Sequence, residues 1–134
     1  MEAFTNDDSL TRVVVTGSES TGKTTLATQL AGHYGAELVP EFVRGYAERQ
    51  KRPLSFRDHG PIAHGQMALE DKHSAIASHL LIQDTDLLST VVYCNHYFGK
   101  CPEWIVSAAK ARRPHLYLLM DIDVPWVPYS WFLD

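Results

Sequence analysis

Apolar positions change their spacing several times along the chain, and each change predicts an element. Val13, Val14 and Val15 stand together between Arg12 and Thr16 without alternation, the pattern of a strand covered on both faces of a parallel sheet. From Lys23 the period lengthens. Leu26, Leu30 and Tyr34 fall one turn apart with Ala27 and Ala31 beside them, predicting a helix that Gly35 stops. AELVP reads as a second strand closed by Pro40, and residues 42–50 as a helix before the polar stretch KRPLSFRD. Ile62, Leu69, Ile76 and Leu80 share one helical stripe, so residues 61–80 are expected to form a long helix with Pro61 in its first turn. LLIQDTD reads as an apolar strand ending in acid. Residues 87–98 and 102–112 then read as helices parted by Gly99, and HLYLLMDID as a fourth strand ending in carboxylates.

Strands alternating with helices predict an α/β fold, a mainly parallel sheet with helices on both faces. The expected division is a lead-in over residues 1–11, one domain over 12–127 and a divergent tail over 128–134. No internal repeat or second domain is visible.

The first strand-to-helix turn carries the chemistry. GSESTGKT, residues 17–24, fits G-x-x-x-x-G-K-[ST] with a strand before it and a helix after it, the context a phosphate-binding loop requires. Gly17 and Gly22 permit backbone angles that turn successive N–H groups of Ser18, Glu19, Ser20 and Thr21 toward phosphate oxygens. The helix N-terminus adds partial positive charge. Lys23 can reach the β and γ phosphates, and the Thr24 hydroxyl can ligate Mg²⁺. Such a loop needs a carboxylate at the end of a neighbouring strand. Asp84 and Asp86 compete with Asp121 and Asp123; Asp84 is preferred because its strand, following the long helix, is expected beside the loop strand. Asp86 also reads as a helix N-cap. In VPEFVRGY, Glu41 and Arg44 follow the second strand, at the edge where doubly wound sheets bind ligands. Glu41 can accept a proton or hold a sugar diol, and Arg44 can neutralise a transferring phosphoryl group; the plainer reading of both is a first-turn i,i+3 ion pair.

Composition narrows the partners. The 134 residues hold 12 basic and 16 acidic side chains, a formal charge of −4, which disfavours a nucleic-acid backbone as the main ligand. No apolar run is long enough to span a membrane, and the N-terminus lacks the pattern of a signal peptide, so a cytoplasmic location is expected. Cys94 and Cys101 read as reduced thiols, and the seven histidines as solvated or core residues.

Taken in order, GSESTGKTTLA, VPEFVRGY, IAHGQMALE, DTDLLSTVVYCNHYFGKCPEW and HLYLLMDIDVPWV make the chain resemble the nicotinamide riboside kinase domain of NadR-type proteins, within the AAA-type P-loop ATPases and kinases. The resemblance implies ATP-dependent phosphorylation of the 5′-hydroxyl of nicotinamide riboside, giving nicotinamide mononucleotide. It implies that residues 17–25, from Gly17 through Thr25, hold ATP, that Asp84 sits near Mg²⁺, and that Glu41 and Asp86 face the ribose. Tyr97, Phe98 and Trp126 become candidates for stacking on the pyridinium. After DVPWV the chain departs from the family: PYSWFLD stands where an arginine-bearing lid is expected, which predicts reduced turnover and an exposed sheet edge open to self-association. The rival readings are a regulatory module that binds ATP or a dinucleotide without turnover, and an ATPase or a kinase for another small metabolite.

Overall fold

The computed structural model describes residues 10–17 and 22–120. The predicted Ser18 to Thr21 stretch of the loop, Asp121, Asp123, Trp126 and the tail lie outside these residues. In chain order the elements are β1 (Thr11–Thr16), α1 (Lys23–Tyr34), β2 (Glu37–Val39), α2 (Phe42–Gln50), a 3₁₀ turn (Phe56–Asp58), α3 (His59–Ile76), β3 (Leu80–Asp84), α4 (Leu87–Phe98), α5 (Glu103–Ala111) and β4 (Leu116–Leu119). All strand pairings are parallel, in the order β2-β3-β1-β4.

The period-2 pleat explains why the strands are apolar on both sides. Val15 and Ile82 point to one face and pack on Ala27 and Ala31 of α1. Val39 and Leu81 point to the other, beneath Leu69 of α3. A third cluster, Ala63, Leu87 and Ile105, joins α3, α4 and α5. Two alanines rather than large side chains form the buried stripe of α1, while Tyr34, expected on that stripe, is exposed. Gly35 ends α1 in the left-handed region, as its sequence position predicts. Cys94 is buried and Cys101 partly so, both as free thiols, and burial pushes the Cys94 thiol up to about 12.

One predicted boundary is corrected. The long helix stops at Ile76 rather than Leu80; Ala77 is extended, and Leu80 opens β3 opposite Thr11. Ile76 is exposed. An apolar residue at helical spacing is also an apolar residue at the head of a strand, and pairing with β1 decides between the two.

The α2–α3 contact depends on one missing methyl. A Cβ on Gly65 of α3 would lie 2.2 to 2.5 Å from three ring carbons of Phe42, the first residue of α2. Gly65→Ala is therefore expected to destabilise the domain by about 2 kcal/mol, because overpacking outweighs the gain of about 1 kcal/mol in helix propensity. Urea unfolding midpoints of the two proteins measure this difference.

Candidate active site

The turns after β1 and β3 leave neighbouring strands and run to opposite faces of the sheet, which opens a crevice at their carboxyl ends. On the α1 side, Gly17 and Gly22 bracket the loop with φ of 140° and 87°. Only glycine adopts such angles readily, and a Cβ on Gly17 would come within 3.0 Å of the Met120 carbonyl oxygen. Gly22 caps α1 and accepts the Leu26 amide at 2.9 Å. Thr25 lies in the first turn of α1, in sequence with Lys23 and Thr24.

Asp84 occupies the last position of β3, on the same face as Ile82, so the pleat aims it at α1. Its Oδ2 accepts from the Thr24 hydroxyl at 2.6 Å. Its Oδ1 is buried and has no hydrogen-bond partner among the described residues. A buried carboxylate oxygen left open beside a hydroxyl suits a hard cation with oxygen ligands, so the pair fits Mg²⁺.

Lys23, the first residue of α1, is buried, and its Nζ lies 3.6 Å from Glu41 Oε2. Glu41 is the N-cap of α2, reached directly from β2, and its Oε1 lies 3.5 Å from Arg44 Nε. The expected i,i+3 pair is thus present, and it is joined to the phosphate-loop lysine.

The DTD turn follows. Thr85 is a β-branched residue at φ 69°, a conformation costing about 1 to 3 kcal/mol. It is held there by its amide donating to the Val15 carbonyl at 2.9 Å and its hydroxyl donating to Ser89 Oγ at 2.6 Å. Asp86 caps α4, accepting the Leu88 amide at 3.1 Å through Oδ1, while the Tyr117 hydroxyl of β4 donates to Oδ2 at 2.5 Å. Burial raises the pKa of Asp86 above the ordinary carboxylate range, against the lowering effect of the Tyr117 hydrogen bond. Burial and the adjoining Asp86 raise that of Tyr117.

Glu41 and Asp86 both line an open cleft. Its other walls are α3, through Ile62 and Gln66, and α4, through Thr90, Tyr93, Tyr97 and Phe98. Tyr93 and Tyr97 stack in parallel, centroids 6.0 Å apart and planes 8° from coplanar. Among the described residues, those lining the cleft include no lysine or arginine. Of the predicted aromatics, Tyr97 and Phe98 are brought here. Sequence reading missed Tyr93, Gln66, Tyr117 and His59, the last buried against Phe98 and hydrogen bonded through Nδ1 to the Ser55 carbonyl. The spacing 86, 89, 90, 93, 97 was the available signal for Tyr93: a polar and aromatic helical face continuing from the acid turn. Nothing local marked Tyr117.

A family model described as an AAA domain matches residues 12–131. The chain belongs to the AAA domain family. This AAA domain is 28% identical over 119 residues to the trifunctional NAD biosynthesis/regulator protein NadR of Salmonella typhimurium, and equally to that of Escherichia coli. The match takes in 86% of this chain but 29% of those proteins. Among solved structures, a NadR protein in complex with NR superposes with a TM-score of 0.70 at 27% identity, over 83% of this chain and 33% of that one. Thymidylate kinase from Ehrlichia chaffeensis superposes at 0.59 with 19% identity, over 87% and 74%, a likeness of fold. The AAA domain thus has the P-loop kinase-like α/β architecture expected from its sequence, and no described helix is long and apolar enough to cross a membrane.

Proposed function

We propose that this domain transfers the terminal phosphoryl group of ATP to the 5′-hydroxyl of nicotinamide riboside, yielding nicotinamide mononucleotide and ADP. The observation that carries the reading is the cleft beside the phosphate loop. Among the described residues its lining holds the carboxylates of Glu41 and Asp86 and no lysine or arginine. Glu41 is balanced by Lys23 and Arg44, but the Leu88 amide and Tyr117 hydroxyl that meet Asp86 are neutral. The Asp86 side of the cleft therefore suits a nucleoside with a cationic base better than one already bearing a phosphate, and the Tyr93–Tyr97 stack offers that base an aromatic face. The likeness to NadR, one structure of which holds NR, supports the same acceptor.

In this reading Gly17 through Thr25 cradle the ATP phosphates, and Thr24 with Asp84 would hold Mg²⁺. The ion would supply charge neutralisation across the phosphates. Lys23 exchanges part of its contact with Glu41 for the β and γ phosphate oxygens, which leaves Glu41 an acceptor for the ribose. Asp86, made more basic by burial, receives the hydroxyl proton as the oxygen bonds to phosphorus and the bond to ADP breaks. Arg44, at the rim, adds positive charge near the transferring group. Thr85, held strained by Val15 and Ser89, keeps the two aspartates on their separate faces.

The test is ADP release with MgATP and three acceptors: nicotinamide riboside, nicotinamide mononucleotide and thymidine. ADP release is expected with the first alone. Release without any acceptor supports an ATPase instead, and MgATP binding with no ADP supports a regulatory module.

A further inference from the structure

The stretch IAHGQMALE contributes two side chains, Gln66 and Glu70, whose joint arrangement the proposed chemistry leaves unused. Glu70 is almost fully buried. Its Oε2 accepts from Gln66 Nε2 and from Gln83 Nε2, each at 3.1 Å, and its Oε1 accepts from Arg112 at 3.2 Å. Three donors and no acceptor surround the carboxylate in these contacts. Gln66 stands one turn earlier on α3. Because its NH₂ is drawn to Glu70, its Oε1 faces the other way and accepts the Phe42 amide at 3.2 Å. Phe42 follows Glu41 and begins α2, so its amide is one of the groups a helix leaves unsatisfied. Gln83 precedes Asp84 on β3, on the opposite face of the pleat.

We propose that Glu70 is a positioning residue: its carboxylate orients the Gln66 amide, which holds the first turn of α2 and so places Glu41 against Lys23. This rests on the kinase reading only for what Glu41 does. Reversal of the Gln66 amide would set its NH₂ against the Phe42 N–H, donor against donor, and free the end of α2. Burial pushes Glu70 up to about 7, opposed by Gln66 and Arg112 and reinforced by the charge of Asp86. Tyr117, hydrogen bonded to Asp86, and Asp71, which shares Arg112, are the other titratable groups of this cluster.

Amide hydrogen exchange of the full chain, followed by NMR without ligands, tests this directly. Glu70→Met removes the acceptor while Arg112 keeps Asp71, and the Phe42 amide is expected to lose about tenfold in protection. Gln66→Met should give the same loss, and the double variant no more. Gln83→Met removes a partner of the same carboxylate oxygen without touching α2, and should leave Phe42 protected. Phe42 protection unchanged in Glu70→Met, or lost equally in Gln83→Met, overturns the proposal. If Glu70→Met does not fold, Glu70→Leu repeats the test with a shorter apolar side chain: Phe42 protection is expected to fall by a similar factor, and unchanged protection overturns the proposal. Neither readout needs turnover, so failure of the kinase reading and failure of this one are separate results. Where turnover is observed, Glu70→Met should lower kcat with the KM for MgATP unchanged.

Discussion

Lys23→Ala is expected to lower acceptor-dependent ADP release by about three orders of magnitude, the scale on which a preorganised group stabilising transferred charge acts. The structure makes this a test of position as well as of charge. Lys23 is buried at the first residue of α1, its ammonium 3.6 Å from Glu41 and adjoining the glycine-bracketed turn. An ammonium buried there, beside a carboxylate that also lines the cleft, would link the phosphate and nucleoside sides of the proposed site. Removing it leaves Glu41 with Arg44 at 3.5 Å, so the buried charge keeps a partner and the protein should still fold. Thermal unfolding controls for this, and ADP release measures the loss. Turnover at the native rate would exclude Lys23 from phosphate binding.

Asp58→Asn is expected to cost about 2 kcal/mol of stability, because a buried carboxylate there satisfies several donors at once. Asp58 accepts from Tyr46 at 2.7 Å, from the Ser55 amide at 2.7 Å and from the Ser55 hydroxyl at 3.1 Å, and both its oxygens meet Arg52. This clamp closes the loop between α2 and α3 that brings Leu54 and His59 to the cleft. The Arg52 pairing, first among the causes, holds the Asp58 carboxyl well below the usual carboxylate range. A pKa depressed by folding contributes stability fully above the unfolded value of about 4, and loses it as pH falls toward the folded value. Native protein should therefore lose this contribution below about pH 4, whereas Asp58→Asn lacks that part of the acid dependence. Denaturation midpoints across pH measure both. Glu70 acts in the opposite sense: its raised pKa contributes stability at low pH that is lost as pH rises through about 7.

Local chemistry made much of the fold legible. Three valines in a row announced a doubly covered strand, and Gly35 and Gly99 marked helix ends because each holds a left-handed backbone angle. Asp84 was singled out from strand order alone, and the pleat then set it against Thr24. Of the readings left open for Asp86, the helix N-cap is present in the structure. The end of α3 was not legible, because Leu80 satisfies a helical stripe and a buried strand equally well until β1 pairs with it.

Sequence by itself determined the order of strands and helices, the glycine-lysine turn, and the acids at the strand end, since all depend on residues a few positions apart. Tertiary structure alone decided which side chains meet. Lys23 finds Glu41 because α1 begins and β2 ends at the same edge of the sheet. Tyr117 finds Asp86, and Glu70 finds Gln83, because parallel register and the two-residue pleat set each strand residue on one face. Spacing along a chain encodes backbone periodicity. Which face of a strand meets which helix is settled only when the strands pair, and the chemistry of this site is built from those faces.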